Sequence, residues 1–240
     1  MHFVRKLPKI IINLIKISFL SLAVYLLFLC IWTWLVTPQA IKSATKEERI
    51  HLSDLPPDAE NIILAVEDPS FYNNLGIDLI TPGQGLTTIS QSLARDLYIT
   101  KPINGVLGIP QNLFRLIWKY FKSIDLGRDV MALVLNTRVE KKIQLELFLS
   151  NVYMGDIQNQ PVIGLKSAAK IYINKELKDL SLNEVIYLTA IMKAPNEFNP
   201  KTNISRHTER VRRIELLIDK KCQPLNLFDS SLKGCATKNI

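Results

Sequence analysis

Two adjacent carboxylates open the chemical reading. Glu67 and Asp68 follow the apolar run 62–66 and precede Pro69-Ser70-Phe71-Tyr72. A proline cannot continue a helix, so Pro69 is expected to end one and leave both acids at its tip. Adjacent acids in a partly apolar site raise one another's pKa, which suits a general base. An ordinary solvated helix end has the same composition, and both readings stand at this point. No other catalytic signature competes. The histidines are His2, His51 and His207, scattered along the chain, and G-x-x-x-x-G-K-[ST], G-x-S-x-G and H-E-x-x-H are all missing. No metal site is expected.

The elements that must hold these acids read as mainly α from Asn61 onward, with little strand alternation and no repeat. Ile89, Leu93 and Leu97 recur at helical spacing. Ser181 and Glu184 form a capping-box pattern ahead of the apolar run 185–192, and Ala194-Pro195 ends that helix. Ser205 is expected to cap a last helix, with Val211, Ile214 and Leu217 on one face and Glu209 paired with Arg213. Tyr153 and Tyr172 are expected to pack, Lys141 and Lys142 to face solvent, and Arg210, Arg212 and Arg213 to form ion pairs. In 112–122 the cations Arg115, Lys119 and Lys122 share one face, while Phe114, Ile117, Trp118 and Phe121 line another. Such a helix suits a membrane interface or an ordinary core contact; the pattern alone does not separate them.

The run 17–36 carries no charge and, at about 1.5 Å per residue, spans roughly the 30 Å of a bilayer core. Trp32 and Trp34 lie near its end, where indoles favour the headgroup level. Arg5, Lys6, Lys9 and Lys16 precede it without an acid, which predicts a cytoplasmic N-terminus and an exported remainder. The run is longer than a signal-peptide core and no small-x-small site follows, so an uncleaved anchor is favoured over a cleaved signal or a buried core helix. Export permits a Cys222–Cys235 disulfide, while Cys30 falls within the span. The net charge of +8 asks for a polyanionic partner, and export argues against nucleic acid and for a lipid-borne anion. The composition, 48% hydrophobic with three cysteines, excludes a disordered chain and a disulfide-dense scaffold.

The longer pattern resembles glycosyltransferase family 51, the peptidoglycan glycosyltransferases. The motif E-D-x-x-F-x-x-H-x-G-[IV]-D reads here Glu67-Asp68-Pro69-Ser70-Phe71-Tyr72-Asn73-Asn74-Leu75-Gly76-Ile77-Asp78. G-G-S-T-I-T-Q-Q-L-x-K-N reads Gly85-Leu86-Thr87-Thr88-Ile89-Ser90-Gln91-Ser92-Leu93-Ala94-Arg95-Asp96. E-L-Y-L-N-x-x-Y-x-G is matched from Glu146 through Tyr153 to Gly155, and G-x-x-x-A-A-x-x-Y from Gly164 to Tyr172. Leu182 and Glu184, then Lys193-Ala194-Pro195 and Asn199-Pro200, then Arg212-Arg213 follow in the family's order. The likeness runs over 60–217.

The resemblance implies a lysozyme-like helical domain with a smaller membrane-facing lobe, around 79–127, behind one N-terminal transmembrane helix. The expected divisions are a cytoplasmic tail 1–9, the membrane helix 10–36, a linker 37–59, the glycosyltransferase domain 60–220 and a C-terminal tail 221–240. It implies transfer of an undecaprenyl-pyrophosphate-linked glycan onto lipid II. Glu67 falls on the general base. Asp68, Phe71, Thr87, Thr88, Gln91 and Arg95 fall on substrate-binding positions, with Arg128 and Arg138 as further candidates. The family's second acid belongs to R-K-x-x-E, which is missing; its position falls on Arg128, and Asp129 beside it is the nearest replacement. Asn74, Leu86, Ser92 and Asp96 also depart from the motifs. A catalytically impaired member that binds lipid II or scaffolds a cell-wall complex is therefore the alternative, with a lysozyme-like hydrolase and a plain helical interaction module behind it. No cofactor is expected, divalent-cation stimulation being left open. The implied partners are membrane lipid and cell-wall proteins, with cross-linking left to separate transpeptidases. The implied location is a bacterial inner or plasma membrane, crossed once, with the catalytic domain periplasmic or extracellular.

Overall fold

The computed structural model describes residues 9–45, 49–120 and 126–236, leaving aside the side chains of Ile117 and Trp118. Arg5, Lys6, Phe121 and Lys122 lie outside the described residues. The first element, α1, runs Lys9–Ala44, past the boundary expected at 36 and through Pro38. Among the described residues it is the one helix long and apolar enough to cross a membrane. Its early residues, Ile10, Leu14, Phe19 and Leu20 among them, are exposed. From Leu29 onward one stripe is buried: Leu29, Trp32, Val36, Ala40 and Ala44, spaced by three or four residues as one helix face requires.

That stripe builds the smaller of two cores. α3 (Ile89–Arg95), α4 (Ile109–Tyr120) and α5 (Leu126–Arg138) pack against it through Leu93, Leu97, Tyr98, Phe114, Met131 and Leu135. Trp32 is buried here instead of facing the headgroup level as expected; its ring meets Phe114 at 4.8 Å, and its indole N–H donates to Leu107 O at 2.7 Å. Thr37 and Tyr98 share a 2.8 Å hydroxyl hydrogen bond, so the polar groups in this contact are satisfied. The aromatic-cationic helix thus uses Phe114 as a core residue. Its Leu113, Leu116 and Tyr120 stay exposed.

The larger core joins α2 (Ala59–Glu67), α6 (Lys141–Asn151), α7 (Leu165–Ala168), α8 (Leu182–Met192) and α9 (Ile204–Ile218). The Ser181 cap forms as its spacing predicts, accepting from Glu184 N–H. The Ser205 cap does not: α9 begins at Ile204, with Asn203 ahead of it, and Ser205 falls inside the first turn. Ile214 is buried with Val211 and Leu217 beside it, and Arg213 pairs with Glu209 at 2.9 Å. A hairpin unforeseen in the sequence, β1 (Tyr153–Ile157) and β2 (Gln160–Ile163), turns on Gln158 and Asn159, both left-handed at φ 51° and 62°.

Cys222 and Cys235 are joined by a disulfide. Residues 222–235 fold back on the body, burying Leu232 and Cys235 in the larger core. Together the two cores give a mainly α body with a smaller lobe against the long apolar helix.

Candidate active site

Pro69 does stop α2, and the two acids diverge at its end. Glu67 is half-buried at a cleft of about 700 Å³. Its Oε1 is buried and has no hydrogen-bond partner. Burial raises the Glu67 pKa; Lys193 and then Arg210 oppose this electrostatically. The adjacent acid is therefore not what raises it, contrary to the sequence expectation.

Asp68 turns the other way and is fully buried. Its Oδ2 accepts from Ile89 N–H at 2.9 Å and its Oδ1 from the Asn74 amide at 3.0 Å. Burial pushes its pKa up to about 6, against the Ile89 N–H and the Lys141 ammonium. A carboxylate at the first turn of α3 also suits the positive end of that helix. Asp68 thus fixes the start of α3 relative to α2.

Thr88 caps α3. Its Oγ1 accepts from Gln91 N–H at 3.0 Å and donates to Gly76 O at 2.7 Å, while Gln91 Oε1 accepts from Thr88 N–H at 2.8 Å. The reciprocal pair is a capping box that the helix-period reading did not pick out. α3 then widens into a π-helical turn, Asp96–Thr100, whose ends Asp96 and Thr100 line the cleft. Such turns interrupt regular helices frequently at functional sites.

Of the residues singled out in the sequence, Glu67, Thr87, Thr88 and Arg95 line the cleft. Phe71, Gln91, Arg128, Asp129 and Arg138, like Asp68, are not among its lining residues. Phe71 is 1% exposed, lies under the Lys141 ammonium at 4.5 Å and packs in the larger core. Gln91 donates to Asp129 at 2.6 Å, and Arg128 to the same oxygen at 3.1 Å, so Asp129 buttresses α3 from behind. Arg138 is exposed to solvent and lies over the Trp34 ring at 4.2 Å.

Sequence reasoning passed over three lining residues. Lys193 was hidden in a helix-stop signal, Lys101 in a loop signal before Pro102, and Tyr153 was assigned to packing. Tyr153 OH lies between Asp156 (2.7 Å) and Asn196 (2.9 Å) at the rim, whereas Tyr172 packs as expected, donating to Met154 O. Lys101 donates to the Asn151 side chain. Lys141, expected in solvent, is half-buried; it donates to Asn74 at 2.9 Å and Ser90 at 3.2 Å, and burial lowers its pKa to about 8. The cleft therefore combines two acids that burial pushes up, Glu67 and Asp96, with three cations, Arg95, Lys101 and Lys193, and Asp96 is paired with Arg95 at 3.5 Å. Such a site takes up a proton at one point and stabilises developing negative charge at another. Among the described residues no three His, Cys, Asp or Glu side chains cluster to hold a metal ion.

Residues 36–219 match the family model described as Transglycosylase. The chain belongs to this family, glycosyltransferase family 51. Penicillin-binding protein 1A of Pseudomonas aeruginosa is 30% identical over 162 residues, 67% of this chain and 19% of that protein. Penicillin-binding protein 1F of Bacillus subtilis is 28% identical over 176 residues, 68% of this chain and 22% of that protein. Penicillin-binding protein 1A of Neisseria cinerea is 27% identical over 201 residues, covering 78% and 23%. The chain spans about a fifth of the length of these relatives. The transglycosylase segment contains most of both cores, and every residue lining the cleft lies within it.

Proposed function

We propose that this transglycosylase polymerises lipid II into glycan chains, with Glu67 as the general base. The observation that carries the reading is the unpartnered Glu67 Oε1 at the wall of a cationic cleft. The acceptor sugar's 4-hydroxyl oxygen bonds to the donor's anomeric carbon, and its proton passes to Glu67. The anomeric carbon–oxygen bond to the pyrophosphate breaks, and undecaprenyl pyrophosphate leaves with the electron pair. Arg95, Lys101 and Lys193 suit that leaving group, Arg95 by its paired donors and the lysines as point charges. A raised Glu67 pKa makes it a stronger base and the proton transfer more favourable.

The anchor serves a lipid-borne substrate. Leu29, Trp32 and Val36 belong both to the apolar run and to the docked stripe, so the smaller lobe sits about 10 Å deep along the run's outer end. Leu113, Leu116 and Tyr120 on α4 then meet lipid, and Arg115 reaches back to Ile99 O at 2.6 Å. The basic residues within 5–16 support a cytoplasmic N-terminus with the cleft outside.

One observation favours a second reading. Arg128 occupies the position of the family's second acid, and Asp129 is committed to Gln91. A lipid-II-binding scaffold with impaired catalysis accounts for both. Full-length protein in detergent, given lipid II, separates the two. Glycan polymer with free undecaprenyl pyrophosphate supports the enzyme; lipid II bound without polymer supports the scaffold.

A further inference from the structure

We propose that the loop closed by Cys222 and Cys235 is a clasp that positions residues 83–88, the segment that enters the wall of the Glu67 cleft at Thr87 and Thr88. This rests on the reading of that cleft as the reaction site. The loop lies outside the segment 36–219 that matches the family.

The clasp is ordered from within by Asp229, which is 5% exposed. Its carboxylate accepts backbone N–H groups of Leu225 at 3.0 Å, Lys233 at 2.6 Å and Gly234 at 2.8 Å. Burial pushes Asp229 up, but the three donors outweigh it and leave the carboxyl below its usual range. The clasp is fastened to α9 by Arg210, donating to Ser230 O, and by Arg213, donating to Ser231 O, each at 3.2 Å.

Its other edge holds the cleft wall. Gly83 N–H donates to Asn226 O at 2.9 Å and Gly85 N–H to Leu227 O at 2.7 Å. Both glycines are left-handed, at φ 82° and 75°. A Cβ on Gly83 would meet Pro224 Cγ at 2.8 Å. One on Gly85 would lie 3.3 Å from Lys193 Nζ and 3.4 Å from Ser230 Cβ, so the clasp touches the wall where a cleft cation sits. Between them, buried Gln84 donates to Thr87 O at 3.3 Å and reaches Glu67 O at 3.5 Å. Clasp, wall and Glu67 are thus linked by direct contacts, and Thr87 and Thr88 follow along the wall.

Opening the disulfide with a dithiol delivers two electrons and two protons to the cysteine sulfurs while the reagent closes to its own disulfide. The closed loop then loses its covalent end point. The test uses the full chain in detergent and follows amide hydrogen exchange in four samples: oxidised wild type, dithiol-treated wild type, Cys235→Ala, and Asp229→Ala with the disulfide intact. The amides of 83–88 are expected to exchange about tenfold faster in the last three than in the first, with α6 and α8 amides within about twofold. Reoxidation should restore protection. In the polymerisation assay kcat should fall more than KM changes. Equal protection of 83–88 in all four samples would overturn the clasp, as would protection lost evenly across the domain, which marks a general stabiliser. Absence of polymer from oxidised wild type would count against the proposed reaction alone, since exchange decides the clasp without it.

Discussion

The Gln91 side chain donates a 2.6 Å hydrogen bond to Asp129, joining the cap of α3 to the first turn of α5. The acid nearest the family's missing glutamate is therefore spent on holding the cap that presents Thr88 to the cleft. Asp129→Asn should keep polymerisation within about threefold of wild type, because an amide oxygen still accepts from Gln91. Gln91→Ala should cost about 1 kcal/mol of stability through the lost capping box. Thermal unfolding and initial polymerisation rates check both. An Asp129→Asn protein that folds normally and makes no polymer would put that acid back among the catalytic groups.

Lys193 favours the ionised form of Glu67, and burial disfavours it. The acid limb of kcat/KM is therefore expected above the ordinary glutamate range. Removing the cation raises the Glu67 pKa further, so Lys193→Met should shift that limb to higher pH, with Lys193→Arg returning it toward wild type. An unmoved limb in Lys193→Met would mean that another group sets it.

Asp68 carries its own pH signature. Its folded pKa of about 6 lies above the ordinary 3.8, so the folded state binds the extra proton between those values. The corresponding stability is complete below the lower value and is lost as pH rises through the upper one. Across that window wild type should lose about 3 kcal/mol relative to Asp68→Asn, the equivalent of about two pKa units. Urea unfolding at several pH values measures it. A difference independent of pH would contradict the burial of this carboxyl.

The long apolar helix and the helices around the site were legible because they rest on local patterns. A charge-free run, a Pro after Glu67-Asp68 and Ser181 with Glu184 each leave a signature within a few residues. The site was legible in part. Glu67, Thr87, Thr88 and Arg95 reach the cleft, but sequence order does not say which way a side chain turns, and Asp68, Phe71 and Gln91 turn inward. Lys141 and Asp229 were missed because their partners, Asn74 and Ser90 in one case and three backbone amides in the other, are brought to them only by the fold. The hairpin escaped because its strands are short and its turn uses Gln158-Asn159 without a glycine.

The most direct test of the account compares wild type with Glu67→Gln in glycan-chain formation from lipid II, both full-length in detergent. The amide keeps the shape of the side chain and removes the base. The account predicts polymer from wild type and a loss of at least about 100-fold in the variant, with lipid II binding and thermal stability retained. Polymer formed at the wild-type rate by Glu67→Gln would contradict it.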